Sequence, residues 1–175
     1  SGVVIKHDGS TVGTAGTINF STNLDVSAIS AGIVTITASG GSSNVTSDAQ
    51  GNTVGGTNSG DSFSGTSAIK NTLFGYNSGT AITSGDQNTS FGYDALKTVA
   101  TTESNTAVGF EALKVADGDL GSAFGSGALA SDNGNGYNSA FGAYAGGQVT
   151  SGSDNSFLGY TAGNNLETGN YNICL

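Results

Sequence analysis

From residue 52 onward, apolar positions recur inside a frame of small and polar residues. The phrase reads Asn71-Thr-Leu-Phe-Gly75, Asn88-Thr-Ser-Phe-Gly92, Asn105-Thr-Ala-Val-Gly109, Gly121-Ser-Ala-Phe-Gly125, Asn138-Ser-Ala-Phe-Gly142 and Asn155-Ser-Phe-Leu-Gly159. Its glycines are spaced by 17, 17, 16, 17 and 17 residues. A worn copy precedes these at Asn52 to Gly60, and a further copy begins at Asn172. Repetition of this kind predicts a quasi-one-dimensional stack in which each unit leans on its neighbours.

Numbering each coil from its Asn, position 4 carries Phe74, Phe91, Val108, Phe124, Phe141 and Leu158. Position 12 carries Ile82, Val99, Val149 and Leu166, with Val115 at position 11 of the short coil. Two apolar anchors eight positions apart predict two short strands per coil, each sending a side chain inward. Position 8 is Ser or Ala and position 9 Gly or Leu, which suits a turn or a close approach. The glycine at position 5 marks a positive φ or a contact too tight for Cβ. A helical reading fails, because a glycine inside every unit costs about 1 kcal/mol against Ala. Only Asp94-Ala-Leu-Lys97 and Glu111-Ala-Leu-Lys114 suit a helical turn, each pairing a carboxylate with an ammonium three residues on. Asn71, Asn88, Asn105, Asn138 and Asn155 should stack into an amide ladder. Gly121 interrupts it, and Asp132 replaces the position-12 anchor of the same coil, which makes that coil the expected weak point.

The first 38 residues follow another pattern. Val3 to His7 is a short β-like run closed by the turn pair Asp8-Gly9. Further runs follow at 17–20, 24–29 and 33–37, with Ala31-Gly32 as a hairpin turn, so 1–38 reads as a small β module. Residues 39–51 read as a Gly/Ser-rich joint, and 52–175 as the repeats. The fold class expected is all-β: a parallel β-solenoid or β-roll of about 17-residue coils behind that small module.

Composition alone would suggest disorder, since only 35% of the residues are hydrophobic and 30 are Gly. The period overrides it by returning a few apolar residues to fixed places. A net charge of −9 offers nothing to neutralise phosphates, so neither nucleic acid nor an anionic membrane is an expected partner. No apolar run is long enough for a membrane-spanning helix. The start at Ser1-Gly2-Val3 and the interrupted last copy suggest a piece of a longer chain.

The phrase Asn-Ser/Thr-x-apolar-Gly-x-x-Ala resembles the head repeat of trimeric autotransporter adhesins. It looks more like the longer repeats of bacteriophage tail-fibre and virion structural proteins. The stretch from Gly9 to Ile36 looks like β modules of cyanobacterial phage structural proteins. The resemblance implies a parallel homotrimer whose chains share an apolar seam, located at the virion surface. It further implies other fibre or baseplate proteins as partners, with a host-surface glycan or protein as target. The adhesin repeat is shorter and usually has an aliphatic residue where this chain has Thr or Ser.

Chemistry-bearing residues are sparse. His7 is the only histidine and Cys174 the only cysteine. No phosphate loop, nucleophile elbow or metal-ligating His or Cys pair occurs. No catalytic residue and no cofactor is therefore expected. His7 reads as surface or interface structure and Cys174 as a small packed residue. Acidic residues gather in the variable half of each coil, as a solvated edge. Asp117, Asp119 and Asp132 are weak calcium candidates, because oxygen ligands on Gly-rich turns suit that ion. The leading expectation is a non-enzymatic virion fibre segment giving reach and host attachment. The alternative is a bacterial trimeric surface adhesin or filament, and a third class is an ice- or carbohydrate-binding solenoid.

Overall fold

The computed structural model describes residues 45–133 and 136–175, together with the backbone of four strands nearer the N-terminus. The chain divides into two compact units, Ser1–Gly41 and Ser42–Leu175. In the first, β1 (Val3–His7) pairs antiparallel with β2 (Ser10–Ala15), and β3 (Leu24–Val26) with β4 (Ile36–Ala38). The strand expected over 17–20 and the turns at 8–9 and 31–32 lie outside the described residues.

The second unit is a parallel β-solenoid. Each repeat contributes one short strand: β6 (Thr53–Gly55), β7 (Thr72–Phe74), β8 (Thr89–Phe91), β9 (Thr106–Val108), β10 (Ser122–Phe124), β11 (Ser139–Phe141), β12 (Ser156–Leu158) and β13 (Ile173–Cys174). They pair in sequence order and in parallel, position on position, as in Phe74↔Phe91 and Ala123↔Ala140. Each strand therefore sits beside the one a single repeat away, and the chain closes its own coils. β5 (Thr46–Ser47) adds an antiparallel edge strand before β6. Asp48 follows it and accepts the N–H groups of Gln50 and Asn52 and the Asn52 amide. Residues 45–51, expected as a flexible joint, instead begin the stack.

The other expectation that fails is a second strand per coil. Beyond position 5 the chain runs through turns, yet it still bonds coil to coil. Positions 7, 9 and 17 take positive φ, for example Asp94 (56°), Leu96 (50°) and Ser104 (59°). Each aims its N–H along the stack: Asp94 donates to the Tyr76 carbonyl, Leu96 to Ala112 and Ser104 to Asp86. The helical turns expected at 94–97 and 111–114 are excluded by this alternation of backbone sign. The backbone hydrogen bonds lost by not forming a second strand are thus made by turns that repeat in register.

Strand alternation then decides the core. Position 3 points inward, and positions 2 and 4 point outward. Leu73, Ala107, Ala123, Ala140 and Phe157 are buried, as is Ser90, whose hydroxyl contacts Ser78 Oγ at 2.7 Å and donates to the Ala95 carbonyl at 3.1 Å. The assignment of position 4 to the coil interior is corrected: Phe91, Phe141 and Leu158 are 43, 59 and 58% exposed, and Phe74, Val108 and Phe124 are only half-buried. Position 12 lies inside at Ile82, Val99 and Val149, and Leu166 packs against the core partly buried. In the short coil Ala116 takes that place, while Val115 is exposed.

Position 9 completes the interior by trading volume with position 3. Where position 3 is Ser90, Ala107 or Ala123, position 9 is the buried Leu96, Leu113 or Leu129. Where position 3 is Leu73, position 9 is Gly79, and a Cβ there would lie 2.8 Å from Leu73 Cδ1. The coil with both small residues, Ala140 and Gly146, is filled by its neighbours. A Cβ on Gly146 would meet Phe157 at 2.7 Å and Leu129 at 2.9 Å.

Candidate functional site

Two surfaces could carry function in such a stack: the buried column that holds the coils in register and the sheet face turned outward. The buried column is built by Asn52, Asn71, Asn88, Asn105, Asn138 and Asn155, each at most 2% exposed. The Asn71 side-chain oxygen accepts the backbone N–H of Asn88 at 2.9 Å, and Asn88 does the same for Asn105 at 3.0 Å. The Nδ2 groups of Asn71 and Asn88 donate to the carbonyls of Gly85 and Thr102 across the coil. The column is thus mainly side chain to backbone. Amide-to-amide bonds run from Asn71 to Asn52, from Asn155 to Asn138 and from Asn172 to Asn155. At the expected weak point Gly121 still donates its N–H to Asn105 Oδ1 at 2.8 Å. Asp132, 3% exposed, accepts from Asn138 Nδ2 at 3.0 Å, so the missing amide is answered by a carboxylate.

At the other end of each strand stand the position-5 glycines. Gly75, Gly92, Gly109, Gly125, Gly142 and Gly159 have φ of 133, 146, 138, 143, 139 and 130°. A Cβ on Gly92 would collide with the carbonyl oxygen of Gly109 in the next coil. Positive φ and close approach therefore coincide there.

The outward face carries position 2 as a Thr or Ser column and position 4 as a mostly aromatic column. Phe74 stacks on Phe91 with ring centroids 5.0 Å apart, and Phe124 on Phe141 at 4.7 Å. Position 6 adds a second column, in which Tyr76, Tyr93 and Phe110 stack at 5.3 and 5.5 Å. These rings cover one another's faces and offer their edges to solvent. Along the position-2 and position-4 columns of the later coils runs a groove of about 270 Å³, lined by Ser122, Ser139 and Ser156 and by Phe124, Phe141 and Leu158. In the earlier strands position 2 is Thr72, Thr89 and Thr106. The groove falls where Thr has become Ser, which lacks the methyl group.

Charge is kept off this face. Lys97 Nζ bonds Asp94 Oδ2 at 2.8 Å and Lys114 bonds Glu111 Oε1 at 2.8 Å, both beginning at position 7. Burial acts to raise the Asp94 carboxyl, but hydrogen bonds from Lys97 and Asn77 and the charges of Lys97 and Lys114 hold it below its ordinary value. The Asp94 hydrogen bond holds Lys97 above its own.

Of the calcium candidates, Asp119 accepts the Glu103 N–H at 2.7 Å, Asp132 is buried, and Asp117 is exposed. Among the described residues no group of three or more His, Cys, Asp or Glu side chains is placed to hold a metal ion. Among them, too, no helix is long and apolar enough to cross a membrane. Cys174 is a half-buried free thiol.

The coil register decides what kind of molecule this is. It is a β-solenoid repeat protein. No family model, curated protein or solved structure matches the chain.

Proposed function

We propose that this chain is a non-enzymatic segment of a phage virion fibre, built from several parallel copies, that gives rigid reach toward the host surface. One observation carries the reading: coil follows coil in unbroken parallel register from β6 to β13, bonded both through the strands and through the turns. A rod bonded in this way transmits position along its axis. Seven steps of one strand spacing make about 34 Å of shaft. The resemblance of the Asn-to-Gly phrase to phage fibre repeats supplies the setting. Its partners are then further copies of itself and neighbouring fibre or baseplate proteins, with a host glycan or protein as ultimate target.

Immunogold labelling with antibody against this chain should decorate fibres on phage particles. Bare particles together with labelled bacterial cells would move the chain to a cell-surface adhesin. Hydrolysis of a host polysaccharide by the purified chain would overturn the non-enzymatic reading.

A further inference from the structure

Two phenol rings are stacked on successive coils, just past the strands. The chain has six tyrosines, no Met and no Trp, so phenols dominate its readily oxidised side chains. Among the described residues only Tyr76 and Tyr93 bring two phenols into contact, with ring centroids 5.3 Å apart and planes 8° from parallel. The backbone fixes that pairing on both sides. Gly92 donates its N–H to the Phe74 carbonyl at 2.9 Å, and Asp94 donates to the Tyr76 carbonyl at 3.0 Å. Tyr76 and Tyr93 are 47 and 48% exposed, so a small oxidant reaches both and each ring keeps room to tilt. On its far face Tyr93 meets Phe110 at 5.5 Å, a ring with no phenol to oxidise. Within the stack, Tyr93 therefore has Tyr76 as its coupling partner.

We propose that Tyr76 and Tyr93 are a site of oxidative cross-linking, at which a carbon–carbon bond between the two phenols staples one coil to the next. Two equivalents of a one-electron oxidant take one electron from each phenol, and water takes the two phenolic protons. The phenoxyl radicals join through ring carbons ortho to oxygen, and each ortho hydrogen at the new bond passes to the oxygen of its own ring. The product is a dityrosine, lighter by two hydrogen atoms. Stacking makes the joining step unimolecular, because the ortho carbons start one coil spacing apart, ~4.8 Å, and need not meet by diffusion. The bond closes a loop across the coil boundary and removes freedom from the unfolded chain, as a disulfide of that span does. The site does not depend on the fibre reading.

The test uses the full chain with Cys174→Ala, since a thiol would quench phenoxyl radicals and Ala already fills position 3 in three coils. The dilute protein is exposed briefly to photogenerated ruthenium(III) tris-bipyridine, with persulfate as the terminal electron acceptor. Trypsin and endoproteinase Asp-N cut after Lys70 and before Asp86 and Asp94. The cross-link should hold peptides 71–85 and 86–93 together, at their summed mass less two hydrogen atoms. The oxidised chain should still run as a monomer on a denaturing gel. The yield should fall at least about tenfold in urea, where the coil register is gone, and in Tyr76→Phe, which keeps the ring but removes one phenol. Phe110→Tyr should extend the series by linking 86–93 to 98–114. Dityrosine found only between chains, through exposed Tyr160 or Tyr171, overturns the proposal. So does a link between 71–85 and 86–93 that forms equally well in urea.

Discussion

Gly92 shows how much one backbone position decides. Its φ of 146° is one that L side chains rarely adopt, and a Cβ there would collide with the Gly109 carbonyl. Gly92→Val therefore combines strain with a backbone clash and should cost at least about 3 kcal/mol, or abolish folding. Lys97 reaches outward, but its partner Asp94 is buried and keeps only the Asn77 hydrogen bond once the ammonium is gone, so Lys97→Ala should cost about 1 kcal/mol, well below the glycine variant. Similar melting temperatures for the two variants, measured by circular dichroism, would count against this role for the glycine. The recurrence of glycine at position 5 makes its backbone role legible in the sequence. The positive φ of Leu96, Leu113 and Leu129 was not legible, because a buried leucine at φ near 50° contradicts ordinary backbone preference. It is stabilised there by filling the space that a small position 3 leaves.

At the scale of the element, the strand is only three residues long, and its alternation assigns the sides. Position 4 carries the largest apolar residues and so looked like the core, while Ser90 or Ala107 at position 3 looked like filler. Size misled because the coil interior is narrow. One Leu at position 9 nearly fills it, leaving room for little more than a methyl group opposite. The exchange between the two positions can be measured. Phe157→Ala should cost about 3–5 kcal/mol. Gly163→Leu alone should also destabilise, because a Cβ there would collide with the Phe157 ring. Together the two variants recreate the Ala-with-Leu arrangement of Ala107 and Leu113, and should be milder than their sum by about 0.5–3 kcal/mol. Strict additivity in urea denaturation would show that the two positions do not share one space.

At the scale of the whole solenoid, strands bond only to those of neighbouring coils, so the coil is the natural unit of change. Deleting 88–104 removes 17 residues and places Asn105 where Asn88 stood, with Ala107 for Ser90 and Leu113 for Leu96. The shortened chain should fold cooperatively with a modestly lower melting temperature. Deleting only 88–95 shifts every later residue against the Asn column and should abolish the cooperative transition. Equal damage from both deletions would mean that stability is not organised by coil.

The sequence by itself determined the period, the parallel stacking, the place of the glycine and the Asn column. Each follows from a residue type whose physics is local and which returns at a fixed spacing. Only the tertiary structure decided which side of the strand faces inward, that turns rather than a second strand complete the coil, and that Asp132 answers the gap left by Gly121. Those outcomes depend on the width of the coil and on what the next coil presents, and neither quantity is written in any single repeat.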